Sequence, residues 1–96
     1  MTLHTLNASP ASAVFADCLR LLAPGDALLL LGDGVYAALA GSPARQALDA
    51  GPARVYVLQP DAAAAGVLGH IGGAELVDMD GFVALSEHFA RQLAWY

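Results

Sequence analysis

Between Pro24-Gly25-Asp26 and Gly32-Asp33-Gly34 lies Ala27-Leu28-Leu29-Leu30-Leu31, an unbroken apolar run closed on both sides by turn-forming residues. It is too short for a helix that must bury a face, and it shows no alternation of apolar and polar positions. A strand with one wet face alternates. An unbroken run reads instead as a strand covered on both faces, as in the interior of a parallel sheet. Parallel neighbours cannot be joined by tight turns, so this strand obliges the chain to supply crossover helices.

The remaining sequence meets that demand. Thr2 to Leu6 reads as a first strand, broken by Asn7-Ala8-Ser9-Pro10. Ser9 before Pro10 predicts a helix start, because serine caps and proline fits the first turn. At 100° per residue, Val14, Phe15, Cys18, Leu19, Leu21 and Leu22 fall within an arc of roughly 160°, with Asp17 and Arg20 outside it. Gly32-Asp33-Gly34 turns into a second helix, Val35 to Ala40, which Gly41-Ser42-Pro43 breaks before Ala44 to Ala50 continues for another turn or two. Arg54 to Leu58 is the third strand, and Pro60-Asp61 opens an alanine-rich helix. Gly66 to Gly73 holds four glycines and reads as a loop. Glu75 to Val77 is a short fourth strand, Asp80 caps a last helix from Gly81 to Phe89, and the tail Arg91 to Tyr96 reads as strand-like or extended. The alternation predicts an α/β layered fold with a mainly parallel sheet. Residues 1–96 are one domain's worth of chain.

Composition narrows the function. The chain is 57% hydrophobic and 14% charged, without a lysine, and its mean hydropathy is +0.55. Ordinary domains are about 25% charged, so apolar surface is left over for burial against other subunits, which points to an oligomer. No apolar run reaches the roughly 18 residues of a membrane span. The opening Met1-Thr2-Leu3-His4 lacks the basic and apolar segments of a signal peptide, giving the expectation of a cytoplasmic protein. Nine acids against four arginines give a net charge of −5. Nucleic-acid binding rests on clustered Lys and Arg, whereas Arg20, Arg45, Arg54 and Arg91 are scattered, which argues against it. A lone cysteine, Cys18, leaves no internal disulfide and fits a reducing compartment.

Sites in such folds gather beyond the C-terminal strand ends, here Asn7 and Ser9, Gly32-Asp33-Gly34, Gln59 and Asp61, and Asp78 and Asp80. Gly32-x-Gly34-x-x-Ala37 formally matches a dinucleotide fingerprint. Strand three, however, ends in Gln59 where an acid would hold the ribose, and Asp33 would repel a phosphate, so no cofactor is expected. Asp78 and Asp80 could be an acid pair, but aspartate at a strand-to-helix turn is the ordinary cap. His4, His70 and His88 have no metal-ligand spacing with one another or with Cys18, so no metal is expected. His4 reads as packed or hydrogen-bonded and His70 as a solvated loop residue. Cys18 admits two readings. A sulfur-carrying thiol must be accessible and acidic, whereas its place on the apolar face, with no cation beside it, suits a buried structural cysteine.

Four segments resemble the DsrH/TusB family of sulfur-relay proteins: His4 to Pro10, the run Leu28 to Leu39 (LLLLGDGVYAAL), Val55-Tyr56-Val57-Leu58 with Asp61, and Val77 to Val83 (VDMDGFV) with Leu85. His88 and the near-terminal Trp95 complete the pattern, which covers essentially the whole chain in order. Where family members often carry a basic residue, this chain has Ala8, Ala65 and Glu87, and where they often carry an acid it has Gly32. The resemblance implies a three-layer α/β sandwich and a heterohexamer of three related small subunits in duplicate. Its Tus form passes persulfide sulfur towards 2-thiolation of the tRNA wobble uridine. Its Dsr form handles sulfur during sulfur oxidation.

In both forms the sulfur-carrying cysteine belongs to a sister subunit, so the resemblance implies a non-catalytic partner of two homologous chains (TusC/TusD or DsrF/DsrE type) and of a small downstream acceptor. The alternative is a DsrH-type subunit whose Cys18 takes part in sulfur transfer, since sulfur-oxidiser members carry a cysteine in this first helix. Tyr36, Trp95 and Tyr96 are the expected interface residues, because aromatic side chains bury much area at small entropic loss.

Overall fold

A computed structural model describes residues 1–96. Five strands, β1 (Thr2–Leu6), β2 (Ala27–Leu30), β3 (Arg54–Leu58), β4 (Glu75–Val77) and β5 (Arg91–Trp95), alternate with four α-helices. These are α1 (Ala13–Leu21), α2 (Pro43–Ala50), α3 (Gln59–Ala64) and α4 (Met79–His88). The strands form one sheet in the order β4-β3-β2-β1-β5, and every pairing is parallel. All four residues of β2 are buried, as its unbroken apolar run requires.

Side chains alternate across the sheet, and each face has its own core. Leu6, Leu28, Leu30 and Val57 point towards Phe15 and Cys18 of α1, Leu48 of α2 and Ala62 of α3. Leu3, Ala27, Leu29, Tyr56 and Leu58 point the other way, where only α4 covers them through Phe82 and Leu85, with Phe89 just beyond. The layers are therefore unequal: three helices on one face and a single helix on the other.

The structure corrects several local expectations. The first helix starts at Ala13 with Ser12 as its cap, the Ser12 hydroxyl accepting the Phe15 N–H. Ser9 instead organises the preceding turn, its carbonyl accepting the N–H and the hydroxyl of Ser12. The last helix is capped by Asp78, whose carboxylate accepts the Gly81 N–H at 2.8 Å. Asp80 falls within the first turn. The segment read as a second helix is a 3-10 helix, Gly32–Ala38, and a short 3-10 turn, Leu68–His70, lies inside the glycine-rich loop. The tail is a true strand, because β1 offers it a free edge to pair with. No helix is long and apolar enough to cross a membrane.

Candidate functional site

Strand order reverses between β1 and β5, and the C-terminal ends of β5, β1, β2 and β3 line one rim. There the turn after β2 is held from both sides. Gly32 N–H donates to the Asp61 carboxylate at 2.7 Å, Asp33 N–H to the Asn7 side-chain oxygen at 3.2 Å, and Gly34 N–H to the Leu31 carbonyl at 2.9 Å. A phosphate would need these same three N–H groups. All are already taken, two of them by this chain's own side chains, so the glycine pattern here builds a turn and not a nucleotide cradle. Asp61 contributes to that turn instead of capping its own helix. The adjoining depression, lined by Gly32, Asp33, Tyr36, Asp61, Ala64 and Ala65, encloses about 250 Å³, below the ~300–1,000 Å³ of small-molecule sites.

A second group of polar side chains lies inside the sheet. His4, in the middle of β1, is buried, and its Nε2 lies 3.0 Å from Asp26 Oδ2. Its Nδ1 lies 3.1 Å from the indole nitrogen of Trp95. An indole N–H only donates, so Nδ1 accepts and the ring proton sits on Nε2, donating to Asp26. The same carboxylate accepts the N–H of Thr2 at 2.9 Å and of Ala23 at 3.1 Å. Burial pushes the Asp26 carboxyl up, but the hydrogen bonds from Thr2, His4 and Ala23 outweigh it and hold the carboxyl below its ordinary value. One chain of hydrogen bonds thus joins the loop before β2, the centre of β1 and the last strand. The sequence reading placed Asp26 in a turn and missed this role. Its only local signal was an acid directly before a buried strand.

The expected site residues are distributed unevenly. Tyr36, on the 3-10 helix after β2, is 40% exposed, and Tyr96, beyond the end of β5, is 85% exposed. Trp95 shares their end of the sheet but is half-buried, packed against the larger core as well as bonded to His4. Cys18 is not brought to the rim. It is fully buried in that core, and burial pushes its thiol up to about 11. His70 and His88 are exposed, and no group of three or more His, Cys, Asp or Glu is placed to hold a metal ion.

The state of Cys18 has a kinetic consequence. Thiol reagents react with the thiolate, and the rise from 9.0 to about 11 alone lowers the thiolate fraction near neutrality about 100-fold. Ellman's reagent at pH 8 is expected to label the native chain at least about 100-fold more slowly than the urea-unfolded chain. Comparable rates would mean that α1 opens readily.

Comparison with known proteins places this architecture. Residues 8–92 match the family model described as DsrH like protein. The chain is 45% identical to Protein TusB of Shigella sonnei and to Protein TusB of Escherichia coli K12, each over 97% of this chain and 99% of the relative. The solution structure of protein Tm0979 from Thermotoga maritima superimposes with a TM-score of 0.69 over 92% of this chain and 93% of that one. At 24% identity, it bears on the fold alone.

Proposed function

This chain belongs to the DsrH-like family, and we propose that it is a non-catalytic subunit of a cytoplasmic sulfur-relay complex. In this reading it assembles with two homologous sister subunits of the TusC and TusD type, two copies of each, and the complex passes persulfide sulfur towards 2-thiolation of the tRNA wobble uridine. The observation that carries the reading is the 45% identity to Protein TusB across nearly the full length of both chains. The placement of Cys18 supports the non-catalytic part. A persulfide carrier must meet its donor and acceptor at the surface as a thiolate, and the one thiol of this chain is buried and weakly acidic. The alternative reading is a DsrH-type subunit of a sulfur-oxidation complex in which Cys18 takes part in the transfer. That role would require α1 to open.

The test is co-expression with the two sister subunits and light scattering after gel filtration. The expected product is one species with the mass of two copies of each chain. A free monomer or homo-oligomer beside an assembled pair of sisters would overturn the reading. Persulfide loading of that complex, followed by mass measurement, is expected to add sulfur to a sister chain and none to Cys18. Added sulfur on Cys18 would favour the alternative.

Tyr36, Trp95 and Tyr96 are the proposed contacts. Because Trp95 is also part of the chain's own core, its replacement by alanine would confound folding with assembly. Tyr36→Ala and Tyr96→Ala touch exposed side chains. Each is expected to weaken assembly about tenfold, as truncation of an aromatic anchor at an interface does, while leaving the melting temperature of the isolated chain unchanged. Undiminished assembly in both variants would remove the aromatic contacts from the reading.

A further inference from the structure

We infer that the outward face of α4, continued by the open edge of β5, is the docking surface for a different protein chain, one that presents an apolar strip rimmed by lysine or arginine. The inference rests on the heteromeric reading above and adds to it a surface and a partner chemistry.

The argument starts from the unequal layers. None of the ten residues of α4 is fully buried, and even its inward Phe82 and Leu85 remain half-exposed. A helix lying on the sheet of a free monomer carries polar residues outward. Here Met79 and Val83, one turn apart on the outward half, are 53% and 52% exposed. At 100° per residue Asp80, Ala84 and Glu87 share that half with them. The result is a short apolar strip, Met79 and Val83, bordered along one side by the carboxylates of Asp80 and Glu87.

The charges then select the occupant. Asp80 and Glu87 are exposed and make no ion pair, as is also true of Asp33 and Asp78, whereas Asp17, Asp49 and Glu75 are matched by Arg20, Arg45 and Arg54. The chain contains no lysine, so Arg91 is its only cationic side chain outside these pairs. A two-fold contact between copies sets a patch against itself. Through α4 it would bring Asp80 and Glu87 against like carboxylates, with a single arginine per copy nearby. A chain with a basic rim would instead neutralise them.

The neighbouring strand extends the surface. Gln92 of β5 donates its side-chain amide to the Ser86 carbonyl of α4 at 2.9 Å, fastening the two elements together. The Trp95 carbonyl accepts the Asn7 N–H at 2.8 Å, so Trp95 turns its backbone groups to β1. By alternation Gln92 and Ala94 turn theirs to the outer edge. That edge has none of the lysine or proline with which edge strands are commonly protected.

The experiment uses the full chain co-expressed with its TusC- and TusD-type sisters. Val83→Asp and the double charge reversal Asp80→Lys with Glu87→Lys are compared with Asp17→Lys, an exposed acid on α1. Both α4 variants are expected to lower the fraction co-eluting with the sisters about tenfold, leaving circular dichroism and melting temperature of the isolated chain as in the wild type. The α1 control is expected to assemble normally. In the wild-type complex, amide exchange in α4 and β5 is expected to slow. Normal assembly by both α4 variants, with unchanged exchange in α4, would overturn the docking surface and leave the relay assignment standing. Failure of the wild type to bind either sister would overturn both. A dimer of the isolated chain that Val83→Asp dissolves would overturn the choice of a foreign partner.

Discussion

Asp26→Ala is expected to destabilise the chain by about 3 kcal/mol or more, since a buried donor left without its acceptor costs about 1–3 kcal/mol. The loss is large because one carboxylate serves three donors, Thr2 N–H and the His4 ring from β1 and Ala23 N–H from its own turn. Without it, a buried imidazole N–H and two backbone amides lose their acceptor, and each unsatisfied group adds its own desolvation penalty. Asp26→Asn keeps one acceptor oxygen and is expected to lose less.

The acid limb gives an independent check. Since the native carboxyl ionises at a lower pH than the unfolded one, the stabilisation is complete above the ordinary value of 3.8 and disappears as pH falls through the native value. The stability gap between the wild type and Asp26→Asn is therefore expected to be constant near neutrality and to shrink below about pH 4. Urea unfolding followed by the fluorescence of Trp95, the only tryptophan, would measure it. A gap that stayed constant down to pH 2 would show that the carboxylate gains nothing from its partners.

Gly34→Ala is expected to be comparably damaging, at about 3 kcal/mol or more, for a steric reason. A Cβ at Gly34 would point into the carbonyl oxygen of Leu6, far inside van der Waals contact. That oxygen cannot move aside, because it belongs to β1, which is paired on both sides by β2 and β5, and it accepts the Leu31 N–H at 3.1 Å. Relief would require the 3-10 helix to lift from the sheet, uncovering Val35, Ala37 and Ala38, which are buried. Gly69→Ala is the matched control. Its Cβ would meet nothing within 4 Å, and its backbone is not in the left-handed region. It is expected to change stability by no more than about 0.5 kcal/mol. Equal effects at the two positions would show that the close approach of turn and strand is not rigid.

Periodicity made much of this fold legible before any coordinates. The bounds read for β1, β3 and β4 coincide with those observed. β2 was recognised as buried on both faces because an unbroken leucine run has no wet side to offer. Local pattern failed where two equivalent residues competed for one role. Ser9 and Ser12 can each cap α1, and Asp78 and Asp80 can each cap α4. The choice falls to the residue whose oxygen reaches the right N–H once the preceding turn or strand is placed. The tail could not be assigned alone, because a five-residue segment becomes a strand only when an edge such as that of β1 is presented to it.

The candidate sites divide along the same line. Sequence identified the glycine turn, the lone cysteine and the exposed aromatic residues, because composition and spacing are properties of neighbours along the chain. It did not reveal that Asp61 and Asn7 occupy the amides of the glycine turn, or that Asp26, His4 and Trp95 form one hydrogen-bonded chain. Those links span 29, 26, 22 and 91 residues. Hydrophobic periodicity is written locally and survives in any register, so it fixes which face of an element is buried. A hydrogen bond is short and directional, so which polar groups meet is decided only when the sheet brings distant strands into register.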